Sequence, residues 1–363
     1  MDRRETGTAP SPVRAVCLGR AGLDLYACER DVPFAEARTF EKHVGGSPAN
    51  IAFGLARLGI RTGFVGRVSD DMIGHWVRDA LAAEGIDVAG LTLERGGTRT
   101  SLALTEMRPR DCGVVIHRHA AADLALCVDD LDPGTLARCE LLVLSGTALA
   151  AEPSRSAALE AARLARAGGA RVVLDLDYRA YTWASPEEAR RVYGEAVRTA
   201  QVVLGNTEEI DVLRPASIEP GDDAALVAAL HAGGVELVCL KAGPDGSTLW
   251  AAGDAPLRQP AFRVDALKPF GAGDAYAAAL CAGLLDGLPL AACAERAAAA
   301  AAIVVARTSC GDASPTSAEL ERFIAAARSD AGDGAGDGVD DDPGGGVRED
   351  PERPPRPPET ERA

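Results

Sequence analysis

The sequence lacks the features that mark membrane and secreted proteins. No apolar run of about 18 residues is free of charges and turn formers, apart from an alanine-rich stretch at 291–302 that contains Glu295 and Arg296. The opening residues, MDRRETGTAPSP, contain no apolar core of a signal peptide. We therefore expect a cytoplasmic protein that does not bind membranes, in which 291–302 forms a buried helix.

Metal-ligand spacing and excess positive charge are also missing. The nine cysteines include no C-x-x-C pair and the five histidines do not cluster, which predicts reduced thiols and no cysteine or histidine metal site. The formal net charge of −16 disfavours nucleic acid as a partner. A nucleotide is still allowed, because backbone amides can bind phosphate locally.

Negative charge is concentrated at the C-terminus. Residues 329–363 contain eleven Asp and Glu against four Arg, together with seven Gly and six Pro. Such a composition cannot bury enough apolar surface to offset the entropy lost on ordering. We expect a flexible segment at 1–12, a folded body at 13–328 and a disordered acidic tail at 329–363.

Short apolar runs alternate with helical segments through the body. The runs are 15–18, 63–65, 141–144, 172–174, 202–204 and 237–240, and the helices are predicted at 48–58, 73–84, 154–167, 186–199 and 223–232. Continuous apolar strands joined by helices predict an α/β fold, with a mostly parallel central sheet flanked by helices on both faces. Ligands of such sheets bind at the carboxyl ends of the strands. The segments 27–44 and 98–118 break the rhythm and predict a small β lid.

The strongest motif is Gly271-Ala272-Gly273-Asp274, which directly precedes a helical run. Small residues let backbone amides face one cavity, and the helix start adds a positive dipole end, so the motif can hold a transferring phosphoryl group. Asp274 would accept a proton from a substrate hydroxyl beside that cavity. The alternative is a turn in which the Asp only caps a helix.

A second glycine-rich element lies near the N-terminus. Gly45 and Gly46 allow a ligand to approach the main chain, and Asn50 offers both a donor and an acceptor. Since Pro48 suits the first turn of a helix, a plain helix entry is the alternative interpretation.

These two motifs resemble the signatures of the PfkB, or ribokinase-like, carbohydrate kinases. Residues 45–59 resemble the first signature and 271–276 the second, in the family's order and separation, and the resemblance extends from 13 to about 323. It implies a ribokinase-like fold with a β lid over the sugar, and an ATP-dependent sugar kinase that uses Mg²⁺. It also implies a catalytic base at Asp274, and it is compatible with a homodimer.

The resemblance assigns further roles residue by residue. Sugar binding falls to Asp24, Gly45, Gly46 and Asn50; phosphoryl transfer to Gly271, Ala272, Gly273 and Asp274; the nucleotide to Asn206, Lys241, Gly243, Gly246, Gly271 and Gly273; and the metal to Asn206 and Glu209. A carboxylate suits Mg²⁺, which prefers oxygen ligands and often acts through water. Without the resemblance, Asn206 would only begin a helix and Gly243 would only form a tight turn.

The stretch Asp175-Leu176-Asp177-Tyr178-Arg179 narrows the substrate class. It resembles members of the family that phosphorylate six-carbon keto sugar acids, among them the 2-keto-3-deoxygluconate kinases. Guanidinium forks bind carboxylates through paired, charge-assisted hydrogen bonds. Substrate binding is therefore predicted for Asp177, Arg179 and Arg118, with Arg155 as a further candidate.

Alternatives to this substrate class stay open. A surface ion pair is the alternative for each Arg, another sugar kinase of the family is the alternative enzyme, and a non-catalytic sugar sensor is a remote one. Lys268 stands before the catalytic motif, where relatives more often carry an acidic residue that helps hold a monovalent cation. Its charge predicts indifference to potassium.

Overall fold

The protein contains one large sheet and one small sheet. The computed structural model describes residues 12–109 and 111–333. The strands are β1 (Ala15–Leu18), β2 (Gly22–Arg30), β3 (Phe40–Gly45), β4 (Thr62–Ser69), β5 (Leu91–Glu94), β6 (Leu102–Met107), β7 (Val114–His117), β8 (Leu141–Ser145), β9 (Arg171–Asp175), β10 (Val202–Asn206), β11 (Leu237–Lys241), β12 (Ser247–Ala251) and β13 (Leu257–Gln259). The helices are α1 (Ser47–Arg57), α2 (Met72–Ala83), α3 (Pro133–Arg138), α4 (Ser154–Ala167), α5 (Pro186–Val197), α6 (Thr207–Ile210), α7 (Asp223–Ala232), α8 (Ala272–Leu285), α9 (Leu290–Val305) and α10 (Ser317–Asp333).

The large sheet has the order β13-β12-β11-β10-β9-β8-β1-β4-β5. The strands from β11 to β5 run parallel, whereas β12 pairs antiparallel with both β11 and β13. Every strand and helix predicted from the apolar runs is present; β4 differs most, because it continues to Ser69. The mostly parallel α/β fold is confirmed.

Both faces of the large sheet are buried. Alternate residues of β1 enter different cores, Ala15 and Cys17 on one side and Val16 and Leu18 on the other. Helices α1, α2, α8, α9 and α10 contribute to the first core, and α3, α4, α5 and α7 contribute to the second. This two-sided burial explains why these strands appear in the sequence as continuous apolar runs.

Small residues bring three helices of the first core into close contact. A Cβ added at Gly54 of α1 would lie 2.5 Å from the Cβ of Ala278 in α8, and one at Gly283 of α8 would lie 2.8 Å from the Sγ of Cys293 in α9. The alanine-rich stretch falls within α9 and is largely buried, as predicted. None of the helices described here has the length and apolar character that crossing a membrane requires.

The small sheet, β3-β2-β6-β7, is the predicted lid. It begins earlier than the predicted range, since β2 starts at Gly22, so Asp24 lies on a lid strand. At the other end of the chain, α10 continues to Asp333, five residues past the expected body boundary at Arg328. The rest of the predicted acidic tail, and residues 1–11 of the predicted N-terminal segment, lie outside the described residues.

Candidate active site

A cavity of about 1500 Å³ lies between the lid and the carboxyl ends of the central strands. Its walls include Asp24 and Tyr26 of the lid, the starts of α1 and α8, and the ends of β9, β10 and β11. The predicted residues that line it are Asp24, Gly46, Asn50, Arg118, Asp177, Arg179, Asn206, Glu209, Lys241, Gly243, Gly246, Gly271, Ala272, Gly273 and Asp274. The fold therefore gathers the two glycine motifs at the strand ends where ligands of such sheets bind.

The glycine motif before α8 forms a tight turn. Gly271 has a φ of 84°, and a Cβ there would lie 2.6 Å from the Sγ of Cys310, so the position requires glycine. Helix α8 begins at Ala272, which leaves the amides of its first turn without partners inside the helix. Asp274 occupies that same turn, beside amides and a dipole end that suit an anion.

Asp274 is bound to the other glycine motif. The Nδ2 group of Asn50 in α1 donates a hydrogen bond of 2.7 Å to Asp274 Oδ2. Burial and the nearby charges of Asp175 and Asp177 raise the pKa of Asp274 to about 7, against a smaller opposing effect of the Asn50 hydrogen bond. The carboxyl group is thus poised to exchange a proton near neutral pH.

A buried ion pair joins the ends of β9 and β11. The Nζ group of Lys241 donates to Asp175 Oδ1 at 3.2 Å, and the hydroxyl of Ser47 donates to Asp175 Oδ2 at 3.1 Å. Burial alone would lower the pKa of Lys241, but Asp175 and Glu209 raise it above its ordinary value. Lys241 is therefore a fixed positive charge at the cavity wall.

Asn206 and Glu209 form a reciprocal cap at the start of α6. The Oδ1 atom of Asn206 accepts hydrogen bonds from the amides of Glu208 and Glu209, and Glu209 Oε2 accepts one from the Asn206 amide. Burial raises the pKa of Glu209, opposed by Lys241. Asn206 therefore does cap a helix, and the buried Glu209 carboxylate of the same cap also lines the cavity.

Arg179 is already paired with carboxylates. It lies 2.6 Å from Asp177 Oδ1 and 3.6 Å from Glu209 Oε1. Asp177 has a φ of 36°, a left-handed conformation that is uncommon for residues other than glycine. The charge of Asp177 raises the pKa of Arg179 further above its ordinary value.

The lid side of the cavity contains Asp24. Its Oδ2 atom accepts a hydrogen bond from the Tyr26 hydroxyl at 3.2 Å, while its buried Oδ1 has no hydrogen-bond partner among the described residues. Burial raises the pKa of Asp24. Gly45 packs directly on this group, because a Cβ there would lie within 2.4 Å of both carboxylate oxygens.

Two of the predicted arginines, Arg118 and Arg155, already have hydrogen-bond partners within the protein. Arg118 lines the cavity but donates to Asp123 at 2.6 Å and to the Thr147 carbonyl at 2.9 Å. Arg155, the further candidate, is not among the residues that line the cavity. It donates to the Leu149 carbonyl at 2.9 Å and to Glu188 at 3.1 Å, and these contacts fasten α4 to the loop before it and to α5.

The turn after Lys241 also requires its glycines. Gly243 and Gly246 have φ values of 55° and 89°, and a Cβ at Gly246 would lie 2.1 Å from the Gln259 carbonyl. Both residues line the cavity beside the segment that follows β13. This tight turn therefore forms the part of the cavity wall that follows the end of β11.

Lys268 is completely buried, with no exposed surface. Its Nζ group donates to the Phe270 carbonyl at 2.8 Å, and lies 3.6 Å from the Sγ of Cys310 and 4.8 Å from the centre of the Phe270 ring. Burial lowers the pKa of Lys268. The Lys268 side chain therefore holds the backbone immediately before the turn at Gly271.

The sequence interpretation missed several residues of this site. Asp175, Ser47 and Arg20 also line the cavity, although the sequence analysis assigns a site role to none of them. Asp175 gave a detectable signal, because it is a charged residue at the end of an apolar strand. Arg20 lies within the span of the family resemblance, but no role follows for it, since an arginine between two strands is ordinary in a surface loop.

Comparison with known proteins agrees with this geometry. The model of the pfkB family carbohydrate kinases matches residues 14–317. The chain is 41% identical over 310 residues to the 5-dehydro-2-deoxygluconokinase of Shouchella clausii, covering 85% of this chain and 94% of that one. It is 42% identical over 315 residues to the protein of the same name from Photobacterium profundum, covering 86% and 95%.

Solved structures support the same assignment. The PfkB protein from Polaromonas sp. JS666 is 29% identical and superposes with a TM-score of 0.73 over 85% of this chain and 99% of that one. A fructokinase with bound ATP from Xylella fastidiosa is 26% identical, with a TM-score of 0.75 over 86% and 98%. The expected ribokinase-like fold is confirmed, and the chain belongs to the pfkB family of carbohydrate kinases.

Proposed function

We propose that this chain transfers the γ-phosphoryl group of ATP to the primary hydroxyl of 5-dehydro-2-deoxygluconate, a step of myo-inositol catabolism. The observation that carries the proposal is the Asp274 carboxylate in the first turn of α8. Asn50 of α1 donates a hydrogen bond of 2.7 Å to it. The name shared by relatives that are 41% and 42% identical supports the choice of sugar acid.

In this proposal, Asp274 acts as the general base. A pKa of about 7 keeps much of the carboxyl group ionised at neutral pH and still makes proton acceptance favourable. Asn50 fixes the orientation of this carboxyl group through the hydrogen bond to Oδ2.

The transferring group would rest against the turn at Gly271, Ala272 and Gly273. Unpaired first-turn amides and the helix dipole stabilise negative charge that spreads over the phosphoryl oxygens. Lys241 adds a positive charge on the same wall, held in place by Asp175. Gly243 and Gly246 would leave room for the nucleotide at the end of β11.

The donor set fits magnesium that arrives with ATP. In the part of the chain that the structure describes, no group of three or more His, Cys, Asp or Glu side chains could hold a metal ion. Asn206 Oδ1 already accepts two amides, while the buried Glu209 carboxylate faces the cavity. Glu209, supported by Asn206, would therefore hold the ion through water, as Mg²⁺ commonly requires. When bound, the ion neutralises phosphate charge.

The sugar would bind on the lid side. Asp24 Oδ1 and Asn50 Oδ1 are buried acceptors without hydrogen-bond partners among the described residues, and sugar hydroxyls are suitable donors. Gly46 lines the cavity on this side, whereas Gly45 is not on the cavity wall and leaves room for the Asp24 carboxylate. Asp177 and Arg179, after β9 on the facing wall, and Arg118, directly after lid strand β7, remain predicted substrate residues.

An ADP-release screen over sugar acids and neutral sugars tests the proposal. We expect kcat/KM for 5-dehydro-2-deoxygluconate to exceed that for fructose and ribose by about two orders of magnitude, because a site built for a polar group rejects analogues that lack it. Preference for 2-keto-3-deoxygluconate would make the chain a kinase of that acid. Fructose turnover without acid turnover would refute the substrate assignment, and sugar binding without ADP release would indicate a sensor.

A further inference from the structure

Several guanidinium groups line the cavity, and they differ in what they already bind. Arg118 and Arg179 each lie 2.6 Å from a carboxylate, those of Asp123 and Asp177. Arg263 belongs to the segment that packs on the turn at Gly246, beside the predicted nucleotide region. The remaining group is Arg20, in the loop between β1 and β2.

Arg20 has almost no partners. Its Nη1 donates one hydrogen bond, of 3.3 Å, to the Ser101 hydroxyl, and no carboxylate among residues 12–109 and 111–333 lies within ion-pair distance. A guanidinium carries five N–H donors in a fixed planar fork. Most of these donors are therefore available to a ligand in the cavity.

The location of Arg20 matches one particular part of a sugar acid. In a six-carbon acid the carboxylate and the primary hydroxyl are at opposite ends of the molecule. Since the hydroxyl must lie at Asp274, the carboxylate must lie at the far end of the cavity. Arg179 is at the reacting end, because its charge interacts with Glu209 and Asp274.

Arg20 is tied to the lid, and its charge also reaches Asp177 near the end of β9. Its hydrogen-bond partner Ser101 immediately precedes lid strand β6. Burial raises the pKa of Asp24, and the Arg20 charge is the largest influence that opposes this rise. Arg20 thus lies near the lid carboxylate that would bind the sugar hydroxyls, without forming an ion pair with it.

The main chain around Arg20 is fixed relative to the catalytic base. A Cβ at Gly46 would lie 2.3 Å from the Arg20 carbonyl oxygen, so this loop packs on the start of α1, the helix that carries Asn50. A Cβ at Gly22 would lie 2.5 Å from Ser101 Oγ and 3.4 Å from Arg20 Nη1. Glycine at 22 leaves space for the Arg20–Ser101 contact.

We propose that Arg20 binds the carboxylate of the sugar acid and makes the site selective for acids over neutral hexoses. The inference rests on the proposed function, because only a sugar acid offers this group. A carboxylate supplies two acceptors in one plane, which matches the guanidinium fork. A neutral hexose would leave the Arg20 charge with only Ser101 and water.

The test compares Arg20→Gln with the parent enzyme on 5-dehydro-2-deoxygluconate and on fructose. We expect KM for the acid to rise roughly 30-fold with kcat within threefold, since hydrogen bonds to charged groups are the stronger class. The kcat/KM for fructose should stay within about twofold, which raises its share relative to the acid. Arg20→Lys should recover part of the acid KM, because Lys keeps the charge and loses the fork.

Two controls separate Arg20 from a structural role. Arg163→Gln removes an exposed guanidinium of α4 that is paired with Glu160, and should change neither sugar's kinetics. Melting temperatures of all variants, measured alone and with the acid, show whether Arg20→Gln folds. A folded variant should lose most of the shift that the acid produces in the parent.

Each other outcome overturns a specific statement. Equal losses on acid and fructose, or an unchanged KM for the acid, would refute the role of Arg20 and leave the kinase assignment intact. If the parent enzyme phosphorylates fructose but no acid, the proposed function fails and the Arg20 proposal fails with it. If Arg20→Gln does not fold, the Arg20→Lys variant decides: an acid KM equal to that of the parent would refute fork recognition.

Discussion

The two walls of the cavity differ in how their buried carboxylates are paired. On the wall formed by the central sheet, carboxylates have cationic partners: Asp175 with Lys241, and Asp177 with Arg179. On the lid wall, Asp24 has a tyrosine hydroxyl at one oxygen and no partner at the other. On the sheet wall, Asp175 and Asp177 are paired before any ligand binds, whereas the lid wall retains Asp24 Oδ1 as an acceptor that a ligand can satisfy.

The largest expected effect on kcat is at Asp274, in the first turn of α8. We expect Asp274→Asn to reduce kcat by about 10²- to 10⁴-fold with little change in ATP affinity, because general-base catalysis typically contributes this much. Single-turnover kinetics would measure the chemical step, and calorimetry the nucleotide affinity. A variant within threefold of the parent in the chemical step would place the base elsewhere.

The second test breaks the charge balance of the sheet wall. Lys241→Met should lower the free energy of unfolding by about 3–5 kcal/mol, because Asp175 would be left buried without its cation. Urea unfolding of the single variants and of the Lys241→Met, Asp175→Asn pair measures the coupling. The pair should recover most of the loss; additive losses would mean that the ion pair does not balance this wall.

The raised pKa of Asp274 also predicts a dependence of stability on pH. A carboxyl group with a folded-state pKa of about 7, against 3.8 in the unfolded chain, binds more protons in the folded state, so its contribution to stability falls as pH rises from about 4 to 7. The free energy of unfolding of Asp274→Asn, relative to that of the parent, should therefore be about 2 kcal/mol higher at pH 8 than at pH 5. An equal difference at both pH values would contradict the raised pKa.

The lid wall should respond differently. Asp24→Asn should raise KM for both acid and neutral sugars about tenfold, because it removes an anionic acceptor for a sugar hydroxyl. The KM for ATP should stay within about twofold, since the ATP-facing charges belong to the other wall. Steady-state kinetics with each substrate varied in turn would show this pattern. A larger change in KM for ATP would remove the division between the two walls.

The smallest effect concerns monovalent cations. Because Lys268 Nζ already donates to the Phe270 carbonyl, a potassium ion there would meet both a repulsive charge and an occupied ligand. Activity in potassium and in a bulky organic cation, at matched ionic strength, should agree within about twofold. Strong activation by potassium would point to a cation site away from Lys268.

The same contrast between sheet and lid explains what the sequence could predict. The central strands are buried on both faces, so their apolar runs identified β1 and β8 to β11 directly. The lid strands have one face toward the cavity and show a weaker pattern, so the predicted segment starts at 27, five residues after the start of β2, and does not include Asp24. The start of β2 follows from pairing with β3 and β6, which no local pattern reveals.

Site residues followed a similar rule. Asp274 and Asn50 belong to glycine motifs whose backbone requirements are visible in the sequence. The roles of arginines are not visible, because a guanidinium can extend in many directions and its partner is set by tertiary packing. Arg155 fastens α4 to α5, while Arg20, for which the sequence predicts no role, lines the cavity.

The contact between Gly54 of α1 and Ala278 of α8 has a consequence for how this enzyme can evolve. The two helices meet without intervening side-chain volume, and each carries one member of the Asn50–Asp274 pair. Any lineage that enlarges one contact residue must shrink the other or displace the amide from the base. The packing of α1 on α8 therefore constrains both signatures together, even though about 220 residues of chain lie between them.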